Sequence, residues 1–237
     1  MLVLAEAGLE LVDPMLWGEP EVVRDARRRG KRPGDVLLDI SRHYRAVKRL
    51  REWWKRGRPD IVHVSLLLAQ SSVLNRAGFL RTFIHTYRGL VIEVDPETRV
   101  PRNYMRFVGL MEQLLRIGRV PPSGKALMRV LGHGLPGLIG RLGVDKVFVL
   151  DEKGRPVNPV VLGRMIVEAE RPAIVVGGFQ RGSFGREVSA LRGVRVSIAP
   201  FPLDAWWVTA KVLSEVENAL RLYEVLWRES AGEGGEE

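Results

Sequence analysis

Hydrophobic positions along this chain change rhythm from one segment to the next. Met1 to Ala5 is an uninterrupted apolar run and predicts a first strand. Glu21 to Gly34 is basic and ends in glycine and proline, which predicts an exposed loop or short helix. Arg42 to Arg58 carries Val47, Leu50 and Trp54 at three- and four-residue intervals, a helical spacing. Pro59-Asp60 then opens an apolar helix with Ile61, Val64, Leu67 and Leu68. Proline suits the first helical position, and aspartate suits the positive end of the helix dipole. Leu80 to Thr86 and Leu90 to Val94, parted by Tyr87-Arg88-Gly89, predict a hairpin. Phe107, Leu110, Met111, Leu114 and Leu115 fall on one helical stripe, with Arg102, Arg106 and Gln113 opposite.

Pro121 to Gly124 interrupts that pattern and marks a soft internal boundary. Beyond Val144 strands and helices alternate. Val144 to Leu150, Ala173 to Val176 and Val194 to Ile198 are strand-like. Asn158-Pro159 caps a helix carrying Leu162, Met165, Ile166 and Ala169. Such alternation predicts an α/β fold with a parallel sheet. Leu203 to about Arg228 reads as one long helix. One stripe is Leu213, Val216, Leu220, Tyr223 and Trp227; its neighbour is Val208, Val212, Ala219, Leu222 and Leu226. Together they cover roughly half the circumference, more than one core requires. Deep burial in its own core explains that breadth, and so does a second subunit. The chain therefore reads as a single domain over residues 1–228. An acidic, glycine-rich tail over 229–237 is expected to be disordered.

Composition adds three constraints. Of 37 basic residues 30 are arginine, and the net charge is +9. Arginine's planar fork suits phosphates and stacks on bases, so a nucleic-acid partner gains weight against an arginine-rich genome. Cysteine is absent, which excludes disulfides, thiolate metal sites and thiol nucleophiles. No run approaches the ~18 apolar residues of a membrane span, and no charged region precedes the first apolar residues as in a signal peptide. A cytoplasmic protein with no membrane partner is expected.

The candidate chemistry lies at strand ends. Ala173 to Val176 runs into Gly177-Gly178-Phe179-Gln180-Arg181-Gly182-Ser183-Phe184. Paired glycines there let backbone amides approach a ligand, at the sheet edge where open α/β folds bind ligands. Val194 to Ile198 likewise ends in the proline-punctuated loop Ala199-Pro200-Phe201-Pro202-Leu203. Arg99-Val100-Pro101-Arg102-Asn103-Tyr104-Met105-Arg106 is a basic helix entrance, and the four-residue spacing of Arg102 and Arg106 lets both reach one anionic strand. His63 and His85 sit in apolar segments and read as packing residues. With His43 and His133 they have no metal-ligand spacing, so no metal is expected.

Many ordered blocks resemble the SPOUT-class pseudouridine N1-methyltransferases of small-subunit ribosome biogenesis, the Nep or Emg family. They are Gly57-Arg58-Pro59-Asp60-Ile61-Val62-His63, Leu74-Asn75-Arg76-Ala77-Gly78, Ile84-His85-Thr86, Ile92-Glu93-Val94, Pro96 to Tyr104, Arg106 to Met111, the Gly-Gly-Phe loop and Val196-Ser197-Ile198. The resemblance runs from Met1 to about Leu226. It implies a SPOUT-type sheet with a family-specific insertion, a C-terminal trefoil knot and a homodimer. It implies S-adenosyl-L-methionine as cofactor, held by Val176, Gly177, Gly178 and Gly182 in one loop and by Ser197, Ile198, Ala199, Pro200, Phe201, Pro202 and Leu203 in another. It places Arg58, Arg99, Arg102 and Arg106 on small-subunit rRNA, with Asp60 orienting an arginine.

Two family acids are missing. Ser71 stands where the family has the aspartate of Asp-Ser-Pro-Leu-Asn. Gln180, Arg181 and Ser183 replace proline, histidine and aspartate in the glycine loop. No residue is assigned as the general base. Three readings stay open: an active rRNA methyltransferase, a non-catalytic rRNA-binding assembly factor that keeps the fold and the dimer, or SPOUT methylation of a different RNA base, such as one in tRNA.

Overall fold

The computed structural model describes residues 1–233. Its centre is an eight-stranded sheet in the order β4-β5-β3-β2-β1-β7-β6-β8. Strand β1 (Leu2–Ala7) is buried at every position and lies between β2 (Thr82–Thr86) and β7 (Pro172–Gly177), parallel to both. A strand covered on both faces needs apolar residues on both, which is why the first residues lack polar alternation. Strand β6 (Lys146–Pro156) pairs parallel with β7 and with β8 (Val194–Ser197). This half matches the parallel sheet expected from the sequence.

The other half is antiparallel, so the sheet is mixed. Gly89, at φ 81°, closes the turn that folds β3 (Leu90–Val94) back onto β2. Beyond it lie β5 (Met128–His133) and the two-residue β4 (Arg119–Val120), both antiparallel to their neighbours. The stretch from Pro121 to Gly124 is the connection between these paired strands, and strands from both sides of it share one sheet.

Side chains on β1 alternate between two cores, as the two-residue period of a strand requires. Leu2 and Leu4 pack with α3 (Pro59–Ser71), α5 (Tyr104–Ile117), α7 (Pro159–Val167) and α9 (Ala205–Ala219). Val3 and Ala5 face α6 (Leu135–Arg141) and α8 (Arg186–Ser189). Gly163 lets α7 press onto α9, because a Cβ there would lie 2.5 Å from the Glu215 carbonyl oxygen. Helix ends follow the sequence: Asn158 accepts from Val160 N–H at 2.9 Å, and Asn103 from Arg106 N–H at 3.1 Å.

A satellite core occupies the segment after β1. Val12, Leu16, Val22, Val36, Leu38 and Val47 pack there beneath α1 (Pro20–Arg28). The helix expected over Arg42 to Arg58 is reduced to α2 (Tyr44–Val47) and a single 3-10 turn at Trp53–Lys55. Glu52 and Gly57 take left-handed conformations, φ 49° and 64°, and Lys55 and Arg56 are drawn into buried ion pairs. Those pairs override the helical spacing. Helix α4 (Val73–Arg76) is a single turn after α3.

The long final helix is broken. Arg221 sits at φ 51°, and α10 (Leu222–Glu233) starts a new direction after α9. The break divides the expected stripes. Val212, Leu213, Val216 and Leu222 are buried, whereas Tyr223 and Trp227 are 47 % and 72 % exposed. Backbone from Glu229 to Glu233 is helical, contrary to the expected disorder, and residues 234–237 of that stretch lie outside the described residues.

His43 and His85 are buried, as expected of packing histidines at least for His85, and burial pushes both imidazoles below their usual value. The fold therefore prefers the neutral rings, and the unfolded chain binds protons first as pH falls below the ordinary value of 6.5. Thermal unfolding should occur at progressively lower temperature from about pH 7.5 to about pH 5.5. A midpoint constant over that window would contradict buried, neutral histidines.

Candidate binding cleft and arginine face

A cleft opens at the carboxyl ends of β6, β7 and β8, where a parallel sheet leaves its ligand crevice. It encloses about 760 Å³ of empty space, its solvent-open mouth included. Val176 and Gly177 line it from the end of β7. Gly182 lines it from the glycine loop. Ser197, Ile198, Ala199, Phe201, Pro202 and Leu203 line it from the loop after β8. The two loops singled out in the sequence thus meet across one cavity.

Two of the expected residues lie elsewhere. Gly178 faces β1: a Cβ on it would lie 2.9 Å from Ala7 Cα and Cβ. Its N–H donates to Ala5 O at 2.7 Å, and its carbonyl accepts from Gly8 N–H at 3.1 Å. Its missing side chain serves close packing of the backbone on β1, and its amide is already used. Pro200 is exposed and outside the lining.

The sequence reading missed a third wall. Leu150, Asp151 and Glu152 enter the cleft from β6, whose pairing with β8 slips between Leu150 and Arg155. Gly154 makes that slip possible, since a Cβ there would lie 2.6 Å from the Val196 backbone. Asp151 is held by Arg195 at 2.9 Å. The signal was present: two acids and a glycine follow a strand whose end shares the edge of the glycine loop. Phe179 and Phe184 complete the wall, edge to face at 5.4 Å.

The arginines gather at the N-terminal ends of α3 and α5. Arg58 forms a two-point pair with Asp60, Nε to Oδ1 at 2.8 Å and Nη2 to Oδ2 at 2.6 Å. That pair raises the guanidinium's already high pKa, with Tyr104 and Asp204 contributing. Asp204 occupies the N-cap position of α9 directly after the cleft loop, without a side-chain capping bond. Arg106 is exposed in the first turn of α5, whereas Arg102, expected to share a helix face with it, lies exposed just before the Asn103 cap, because the helix starts only at Tyr104. Arg99 and Arg102 also line a second cavity of about 1480 Å³, open mouth included, with Gln70, Ser71, Asn75 and Arg76.

Acids that could have neutralised this face are engaged elsewhere. Glu97 pairs with Lys125 at 2.8 Å, and Glu112 is buried against Arg29, Lys31 and the Leu37 N–H. Among the described residues, the guanidinium groups of Arg99, Arg102 and Arg106 have no acid partner. None of the four histidines lines either cavity. His63 bonds to Pro101 O at 2.6 Å and stacks on Phe107 at 4.4 Å, which fastens α3 to the start of α5.

A family model for EMG1/NEP1 methyltransferase matches residues 2–217. The chain belongs to that family. EMG1/NEP1 relatives align almost end to end with it. The ribosomal RNA small subunit methyltransferase Nep1 of Staphylothermus marinus is 45 % identical over 226 residues, 95 % of this chain and 96 % of the relative. The Nep1 of Pyrobaculum calidifontis is 48 % identical over 224 residues, 94 % and 99 % of the two chains. The crystal structure of Archaeoglobus fulgidus Nep1 bound to S-adenosylhomocysteine superposes with a TM-score of 0.83 at 37 % identity, covering 93 % of this chain and 98 % of that one. Against the EMG1/NEP1 pattern, Ser71 lies in the second cavity and Gln180 in the cleft. Arg181 lies 5.2 Å over the Trp53 ring, and Ser183 Oγ accepts from Lys153 Nζ at 3.4 Å. Among the described residues no cluster of potential ligands could hold a metal ion, and no helix is long and apolar enough to cross a membrane.

Proposed function

We propose that the protein uses S-adenosylmethionine to methylate N1 of a pseudouridine in small-subunit ribosomal RNA, as a step in small-subunit biogenesis in the cytoplasm. The observation that carries this reading is the meeting of the two sequence-predicted loops at one strand-end cleft, together with an arginine face on which Arg99, Arg102 and Arg106 have no acid partner among the described residues. The residues present suit the cofactor. Ile198, Leu203 and Val208 offer apolar surface to an adenine ring, and Glu152, Gln180 and Ser197 offer polar groups to hydroxyl and amino-acid ends. Small-subunit RNA as substrate rests on the relatives' names and on that arginine face.

S-adenosylmethionine supplies an activated methyl group on a cationic sulfur. The chain's own task is to align the accepting base and exclude competing orientations. Arg58, held rigid by Asp60 and placed near Asp204, stabilises negative charge as the N1 proton departs. Arg99, Arg102 and Arg106 bind phosphates of an unpaired loop with the target base turned outward. No side chain is assigned as the proton acceptor. We also propose the single-domain organisation over residues 1–228, the C-terminal trefoil knot and a homodimer.

Ala199→Trp should fill the cleft and weaken S-adenosylhomocysteine binding at least about 100-fold in a calorimetric titration. Retained affinity in the folded variant would place the cofactor elsewhere. Exposed Tyr223, Val225 and Trp227 on α10 motivate the dimer. Sedimentation should show a dimer at micromolar concentration, and a monomer alone would contradict it. Turnover separates the enzyme from the assembly factor. Cofactor binding with methyl transfer to pseudouridine-containing RNA supports the enzyme. Cofactor binding with no transfer supports the assembly factor, for which the serines at positions 71 and 183 are the motive.

A further inference from the structure

We infer that Glu6 and Lys55 are a positioning pair that fixes the glycine-rich wall of the cleft and thereby sets affinity for the cofactor. The inference rests on the cleft being the S-adenosylmethionine site. Glu6 is the penultimate residue of β1, takes a left-handed conformation at φ 50° where the pairing with β2 is irregular, and is 6 % exposed. Strain of this kind in a residue other than glycine persists where its surroundings over-determine it, and it clusters at functional sites. Here the surroundings are the loop after β7. Glu6 Oε1 accepts from Gly185 N–H at 2.5 Å, and Oε2 accepts from Lys55 Nζ at 2.7 Å.

Lys55 is equally enclosed, with 3 % of its side chain exposed. Its ammonium lies 4.8 Å from the centroid of Phe179, a residue of the cleft wall. The neighbouring Trp54 closes over Gly182, where a Cβ would lie 2.9 Å from the indole nitrogen. The end of β1 and the 3-10 turn Trp53–Lys55 therefore hold the loop at Phe179, Gly182 and Gly185. Neither Glu6 nor Lys55 lines the cleft itself. Their effect on the ligand passes through the loop's shape, and a buried, satisfied ion pair is a rigid support for such a shape.

The test is the double variant Glu6→Ala/Lys55→Met, which removes both charges and leaves no buried ion unpaired. Calorimetry with S-adenosylhomocysteine should show affinity about tenfold weaker than native. KM for S-adenosylmethionine should rise by more than kcat falls, and anisotropy with a ribosomal RNA fragment should stay within about twofold of native. Thermal unfolding establishes that the variant is folded. A folded double variant that binds S-adenosylhomocysteine as tightly as native overturns the inference. If the double variant does not fold, Glu6→Gln carries the same expectation, because it keeps volume and an acceptor for Gly185 while ending the pair with Lys55. Failure of the native protein to bind S-adenosylhomocysteine refutes the cleft assignment itself, which separates the two outcomes.

Discussion

Replacing Arg102 and Arg106 together with alanine should weaken binding of a single-stranded small-subunit RNA fragment roughly 10- to 100-fold at low salt. Each loses a charge-assisted contact of about 1.5–3 kcal/mol before solvent screening. The slope of log K against log salt should flatten by about 1.4, since each phosphate contact on a single strand contributes about 0.7. Both side chains are exposed, Arg102 just ahead of the Asn103 cap of α5 and Arg106 in its first turn, and neither has a carboxylate to satisfy it. The Glu97 and Glu112 carboxylates, the obvious surface partners, are committed to Lys125 and to Arg29 and Lys31. Affinity for S-adenosylhomocysteine should not change, because neither arginine lines the cleft. An unaltered salt slope would show that the RNA-binding face lies elsewhere.

Glu112→Ala should cost about 3–5 kcal/mol of stability. Glu112 is 1 % exposed on α5 and accepts from Arg29 at 2.5 Å, from Lys31, and from the Leu37 N–H at 2.9 Å. Its loss leaves a buried amide without an acceptor and two cations without their shared partner. It also unties the satellite core from the helix that presents Arg106. Glu112→Gln keeps an acceptor for the Leu37 amide and should cost less. Denaturant unfolding should show a lower midpoint for alanine at an unchanged slope. A loss under about 1 kcal/mol would mean that the carboxylate is dispensable to the fold.

Much of the parallel half of the sheet was legible because its strands are long apolar runs and its helices have marked starts. Asn158-Pro159 caps where expected, and Pro59-Asp60 opens α3. The antiparallel extension was not. Strand β4 has two residues, and β5 is only partly buried and carries Gly132 at φ 117°, so neither shows a clear two-residue period. The break at Arg221 lacks the glycine or proline that usually announces one. The segment around Trp53 to Arg58 has helical spacing, but buried ion pairs fix its shape instead.

The site was legible through strand ends. That logic pointed to Gly177, Gly182 and, Pro200 apart, the loop from Ser197 to Leu203, all of which line the cleft, and it would also have pointed to Asp151 and Glu152 had it been applied to β6. Gly178 shows its limit. A glycine pair reveals that a Cβ is excluded but not in which direction, and at Gly178 the direction is Ala7. Glu6 and Lys55 left no local trace, because 49 residues of sequence separate a pair that meets only in the folded chain.

Nucleoside mass spectrometry tests the central claim most directly. The purified protein is incubated with S-adenosylmethionine and two forms of one small-subunit RNA fragment, alike except that a single position holds pseudouridine in one and uridine in the other. The account predicts one N1-methylated pseudouridine per molecule of the first and no methylation of the second. Tight cofactor binding with no methyl group on either RNA, or a methyl group on uridine or on another base, would contradict it.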